Sequence, residues 1–265
     1  MATDPYAAPR SRVADVPAAA ADGQFIPAGQ AVAAGNGWTW ITDGWGLFAR
    51  QPGMWIGIIL VFLVLFILIS LISLISPIPI VGSLAAALLG PVFAGGIMLG
   101  CRALREGGEL EFGHLFAGFR EHAGKLILIG VFNLIAWIVI MVIVELIIGA
   151  SVLALIAGGG TEPSTGGATG ILLGVLVALA LGIPVYMAIW FAPSLVALNE
   201  LDTIPALKAS FAACLKNIVP FLLYGVILFA LAIVALIPLG LGWLVLGPVV
   251  AASVYTAYRD IFYAH

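Results

Sequence analysis

Charge is scarce in this sequence. Of its 265 residues, 9% are Asp, Glu, Lys or Arg, against about 25% in ordinary soluble domains. With 63% hydrophobic residues and a mean hydropathy of +1.21, that shortage excludes a water-soluble single domain. Basic clusters are missing too. Ten Lys and Arg face thirteen Asp and Glu, scattered rather than gathered into the positive face that phosphate-backbone binding requires, so no nucleic-acid partner is expected. Cysteine is limited to Cys101 and Cys214, with no Cys/His spacing of a zinc site, and both are expected as free thiols. Neither an HExxH, a GxSxG nor a phosphate-binding loop occurs. His114, His122 and His265 lie outside the apolar segments, without a third ligand nearby. The expectation is a non-enzyme with no cofactor and no metal.

What fills the chain is long apolar sequence. Six windows, 54–76, 78–101, 126–157, 170–198, 218–237 and 239–258, contain a single charge, Glu145. A bilayer imposes that segregation, since an ionised side chain at its centre costs at least about 2.5–3.5 kcal/mol. The fold class expected is an all-α membrane protein with six transmembrane helices. Residues 1–36, rich in Ala, Pro and Gly, have neither a secretory core nor anything to bury, and read as a disordered cytoplasmic tail. Residues 37–265 form the polytopic membrane domain.

Within that domain a pattern recurs. Trp38, Ile41, Trp45 and Phe48 repeat at helical spacing before the first window, as in an amphipathic helix lying in the interface. Phe112, Leu115, Phe116, Phe119 and Ala123 form a second such stripe; Ile204, Leu207, Phe211, Cys214, Leu215 and Ile218 form a third. Each runs into an apolar window. Ile78-Pro79 then precedes Gly90-Pro91-Val92, and Ile237-Pro238 precedes Gly247-Pro248-Val249. Pro91 leads Arg102, and Pro248 leads Arg259, by the same interval. The middle unit keeps Ala192-Pro193 but ends in Asn199-Glu200. The expected layout is three repeats, approximately 37–104, 111–200 and 203–262, each an interfacial helix followed by a transmembrane hairpin. Trp38, Trp40, Trp45, Phe48, Phe116, Phe119 and Phe211 are the expected interfacial anchors, since aromatic rings favour the headgroup level. The Lys and Arg residues fall on the side of the termini, which puts both termini in the cytoplasm.

Two stretches carry a family resemblance. Gly37-Trp38-Thr39-Trp40-Ile41-Thr42-Asp43-Gly44-Trp45-Gly46-Leu47-Phe48 resembles the opening motif of an uncharacterised family of betaproteobacterial integral membrane proteins. Gly100-Cys101-Arg102-Ala103-Leu104, followed by Phe112-Gly113-His114-Leu115-Phe116-Ala117-Gly118-Phe119, is similar to that family's central loop. The resemblance implies a polytopic protein of the bacterial inner membrane. The layout also resembles the membrane domains fused to some bacterial glycerophosphodiesterases, with none of their catalytic residues. Mitochondrial carriers share the three-unit architecture. Their Pro-x-[Asp/Glu]-x-x-[Lys/Arg] signature is missing, because Val-Phe, Ser-Leu and Val-Val follow Pro91, Pro193 and Pro248.

Few residues within the windows carry chemistry. Glu145, about 30 Å from Lys125 along a helix, reads as an interfacial carboxylate or, alternatively, a buried proton or cation relay. Asn133 reads as interhelical glue or a substrate contact. Pro91, Pro184, Pro193 and Pro248 kink their spans, for packing or to shape a transport site. The function expected is non-enzymatic transport or accommodation of a small or lipidic molecule, with membrane lipids as partners. The alternative is a scaffold or assembly partner, and either admits a homo-oligomer or a protein partner in the membrane.

Topology supplies the first test. Alkaline phosphatase inserted within Gly158–Thr169 should be active and its fusion after His265 inactive; an active C-terminal fusion would overturn cytoplasmic termini.

Overall fold

The computed structural model describes residues 23–75, 81–157 and 166–264. The first 22 residues of the expected tail, the turn around Pro77 and Pro79, and 158–165 of the loop between the middle spans lie outside the described residues. Beyond residues 23–35 and short connections, the described residues are helical: α1 (Asn36–Arg50), α2 (Pro52–Ile75), α3 (Val81–Arg105), α4 (Phe112–Leu115), α5 (Ala117–Arg120), α6 (Ala123–Ala157), α7 (Gly166–Trp190), α8 (Ala192–Asn199), α9 (Thr203–Lys216), α10 (Ile218–Leu236) and α11 (Trp243–Phe262).

Five segments among the described residues are long and apolar enough to cross a membrane: Pro52–Leu71, Leu84–Arg105, Ala123–Leu153, Thr169–Asn199 and Ile218–Leu236. The fourth runs through α7 and α8. Six were expected, and five candidates are found among the described residues. The missing candidate is α11, whose 20 residues reach about 30 Å but end in Tyr255, Tyr258, Arg259 and Asp260. Its composition follows from its place. Val249, Ala252, Tyr255, Tyr258, Ile261 and Phe262 are all buried, so α11 is built for packing against protein rather than for dissolving in lipid. By contrast Phe66 on α2 and Phe229 on α10 are 63% and 70% exposed, as expected of side chains that meet acyl chains.

The short helices pack in a regular manner. α1 lies on α11, α4 and α5 lie on α3, and α9 lies on α7 and α8. Glycine sets how close α1 comes. A Cβ at Gly44 would stand 2.7 Å from the Ser253 backbone nitrogen, and one at Gly37 would stand 2.4 Å from the Pro220 carbonyl. The buried face of α1 is therefore Gly37, Trp40, Ile41, Gly44, Leu47 and Phe48. Trp40 and Phe48, grouped with the anchors from their aromatic character, point inward at 1% and 5% exposure, while Trp38 and Trp45 point outward. On α9 the stripe divides likewise, with Leu207 and Cys214 inward and Ile204, Phe211 and Leu215 outward.

The second interfacial stripe is two separate turns broken at Phe116 rather than a continuous helix. Gly113 and Gly118 weaken helix there, each by about 1 kcal/mol relative to alanine. Gly118 is nonetheless required, since its Cβ position lies 2.1 Å from the Val92 carbonyl. Leu115 is buried while Phe112, Phe116 and Phe119 remain exposed.

Residues 24–35, assigned to the tail by composition, form a strap along the end of the chain. Ile26 N donates to Phe262 O (2.8 Å), Gln30 N to Ile261 O (2.8 Å), and Ala264 N to Gln24 O (3.0 Å). Asn217, wholly buried, accepts from Val32 N at 2.8 Å and donates to Gln30 O at 2.9 Å. Apolar burial alone does not reveal such a segment; backbone pairing holds it.

The glycine contacts separate two substitutions on one helix. Gly44→Ala should lower the melting temperature in detergent, by about 1–3 kcal/mol of overpacking. Gly46→Ala, where nothing lies within 4 Å of the Cβ position, should leave stability unchanged or raise it by up to about 1 kcal/mol. Equal responses would contradict close approach at Gly44.

Candidate functional site

The candidate site grows out of helix interruptions. Pro193 opens α8 at its first turn, so the helix beginning as α7 breaks at Phe191. Ser210 of α9 occupies the break. Its hydroxyl accepts from Phe191 N at 2.9 Å and donates to Met187 O at 2.7 Å, bridging the two groups that a continuous helix would have joined directly. Pro91 lies inside α3, where it leaves the Ala87 carbonyl without its helical donor. That carbonyl faces Gly130 of α6, where a Cβ would come within 2.6 Å. Pro248 lies inside α11 and is buried; the next carbonyl, that of Val249, faces Gly44. Pro184, inside α7, is exposed.

The interior of the α1, α10 and α11 junction is tied by polar side chains. The hydroxyls of Tyr224 and Ser253 are 2.7 Å apart, and Ser253 also donates to Val250 O. Thr256 donates to Trp40 O at 2.8 Å, and Trp40 Nε1 donates to Asp260 Oδ2 at 2.7 Å. Asp43, next along α1, has its carboxyl pushed up by partial burial and by Asp260, with Arg105 opposing.

Two apolar grooves open on the outside. One, of about 600 Å³, lies between α1, α10 and α11, with Trp38, Trp45, Leu231 and Val245 in its walls. The other, of about 650 Å³, lies between α7, α9 and α10, with Tyr186, Trp190, Phe221, Gly225 and Leu228. Phe221 packs against Trp190 edge-on, their centroids 6.0 Å apart.

A third space is polar. A cavity of about 360 Å³ forms where the ends of α3, α8 and α11 meet, and Arg102, Glu106, Asn199, Tyr258, Arg259 and Tyr263 line it. The Tyr258 hydroxyl donates to Asn199 Oδ1, and Asn199 Nδ2 donates to the Tyr263 hydroxyl at 3.0 Å. The Arg259 guanidinium carbon stands 3.9 Å above the Tyr263 ring, within cation–π range. Nearby, Lys125 closes the junction of α6 with the α8–α9 loop. Its ammonium is 2.7 Å from Asp202 and donates to Glu200 O at 3.0 Å. Hydrogen bonding to Lys125, with its charge, holds the Asp202 carboxyl below the usual range.

The residues singled out from sequence are not brought together. Glu145 lies exposed on α6, and Asn133 is half-buried on the same helix. Pro91, Pro193 and Pro248 are buried in three different helices, each against a different neighbour. His114 turns back on its own backbone, with Nδ1 accepting from Glu111 N at 3.0 Å, and His122 Nε2 is 4.0 Å from Glu200. Sequence reasoning missed the cavity. Its signal lay in Arg102 and Arg259, each the same interval after a proline, and in Asn199, which follows Pro193 more closely. Burial pushes the Cys214 thiol up to about 12, partly offset by a hydrogen bond with Ser210.

Comparison with known proteins gives one informative likeness. The chain is 29% identical over 209 residues to a probable inner membrane protein of Burkholderia thailandensis, covering 76% of this chain and 75% of that one. No protein-family model and no solved structure matches. With five membrane-length helices, the likeness identifies a membrane protein and agrees with the resemblance carried by Gly37–Phe48 and by the segment from Gly100 to Phe119.

Ser210→Ala would strand the Phe191 N–H and the Met187 carbonyl. It should cost about 1–3 kcal/mol, read as a lower melting temperature, with faster maleimide labelling of Cys214 as α9 loosens. Wild-type values for both would refute the bridging role.

Proposed function

We propose that the protein is a non-enzymatic, polytopic protein of the bacterial inner membrane that accommodates a small lipidic molecule in its lateral grooves. The observation that carries this reading is the pair of apolar grooves, about 600 and 650 Å³, walled by helices whose outer faces carry large apolar side chains. Pockets of this size suit a ligand of several carbon chain segments.

The finer architecture belongs to the same proposal: three units of interfacial helix and hairpin, with α11 as a sixth span. Its support is that each short helix packs on the second hairpin helix of the preceding unit, and α1 closes the ring on α11. The carbonyls that follow the two matched prolines, at Val92 and Val249, each meet a glycine, Gly118 and Gly44. Contacts of Arg50 with Leu104 O, Lys125 with Asp202 and Lys216 with Gly29 O link the cationic residues through one end of the bundle. The positive-inside rule then favours a cytoplasmic location for that end and for both termini. The likeness to a probable inner membrane protein supports the choice of membrane.

Gly225 offers a clean test, because nothing lies within 4 Å of its Cβ position and it lines the second groove. Native mass spectrometry of the detergent-purified protein should show retained lipid. Gly225→Trp should reduce that retention while leaving the melting temperature within about 0.5 kcal/mol of wild type, as for other open positions. Lipid-free wild-type protein that is unaffected by added lipid would defeat this reading in favour of the scaffold.

A further inference from the structure

The polar cavity stands apart from the grooves, and its chemistry does not depend on them. We propose that it is a binding site for a phosphate group, presented either by a lipid headgroup or by a free anion. Arg102 from α3 and Arg259 from α11 come from different helices into a space of about 360 Å³, accompanied by one carboxylate, that of Glu106. The cavity walls therefore carry one more positive charge than negative. Arg259 is only 8% exposed. Charges held away from bulk water are screened less, so an anion entering the cavity meets a stronger field there than at the open surface.

Donor geometry favours phosphate among anions. A guanidinium presents a planar fork matched to two oxygens of a phosphate. Two such groups, from separate helices, line the same space, and a phosphate has oxygens enough to meet both forks. The Tyr263 hydroxyl accepts a hydrogen bond from Asn199 and lies 3.4 Å from the Tyr258 hydroxyl. Asn199 in turn is held by the Tyr258 hydroxyl, so this wall of the cavity is positioned before a ligand arrives. Stacking over Tyr263 fixes Arg259 likewise. Phe25 of the strap forms part of the wall, and its pairing with Tyr263 joins the strap to this site.

Thermal-shift titration of the full-length protein in a zwitterionic detergent tests the site. The probes are inorganic phosphate, dioctanoyl phosphatidylglycerol and, as a phosphate-free control, dioctanoylglycerol. At least one phosphate probe should raise the melting temperature at concentrations where dioctanoylglycerol does not. A response to inorganic phosphate identifies the free anion as sufficient; a response to the phosphatidylglycerol alone identifies the headgroup. Arg102→Gln should weaken the responding probe about tenfold or more, and Glu106→Gln should tighten it severalfold. Arg102 and Glu106 are chosen because Arg259 is packed beneath Tyr263, where substitution would disturb folding. Gly225→Trp should leave this response unchanged, which separates the cavity from the groove. Equal shifts with dioctanoylglycerol, no shift with either phosphate probe, or a shift indifferent to both variants would overturn the proposal.

Discussion

In hydrocarbon, a backbone group that loses its helical partner has no water to turn to, and much of this architecture follows from that constraint. Pro91 and Pro248 each remove a donor from inside a helix, and Pro193 opens α8 just after a break. The break before Pro193 is repaired by a hydroxyl on α9, and the carbonyl freed by Pro91 is placed against a glycine of α6. Bends so repaired need a neighbour in contact. Hence the interrupted helices α3, α7–α8 and α11 are the ones on which the short helices pack, and they are richer in buried positions than α2 and α10.

Cohesion between these helices cannot come from water exclusion in the ordinary sense, because lipid tails are as apolar as leucine. Close approach at glycine and a few interhelical hydrogen bonds take over. Gly37 and Gly44 draw α1 onto α10 and α11, and Thr256 and Asp260 then fasten Trp40 by its carbonyl and its indole nitrogen. Interhelical hydrogen bonds of this kind contribute about 0.6–2 kcal/mol each. Stability is distributed over many small contacts. The polar cavity is the place where the same helices end and charge returns, so its guanidinium groups are held by elements already fixed for other reasons.

The membrane class, the helical windows and the proline interruptions were legible because hydropathy is a property of single residues and survives without neighbours. The orientation of α1 was not. Its aromatic residues suggested an outward stripe, but the face that packs is marked by Gly37 and Gly44, whose lack of a side chain carries no hydropathic signal. α11 looked like another lipid-facing span from its first half, whereas its tyrosines and Asp260 belong to an interior that only the assembled bundle creates. The strap at 24–35 was unreadable for a related reason: what it gains is backbone pairing with Phe262 and Ala264, partners more than two hundred residues away. Asn199, Arg102 and Arg259 were visible as recurring landmarks, yet their convergence depends on the mutual arrangement of three helices.

That strap has a consequence for biogenesis. Residues 24–50 leave the ribosome long before their partners on α11 do. Until then α1 can meet Phe221 and Tyr224 of α10 but lacks the close contact at Gly44 and the hydrogen bonds of Trp40 to Thr256 and Asp260. α11 therefore acts as a latch: its arrival gives the strap and Trp40 the partners that hold them. Truncation shortly before Tyr255 would leave an unlatched polypeptide in which Trp40 loses its Asp260 and Thr256 partners.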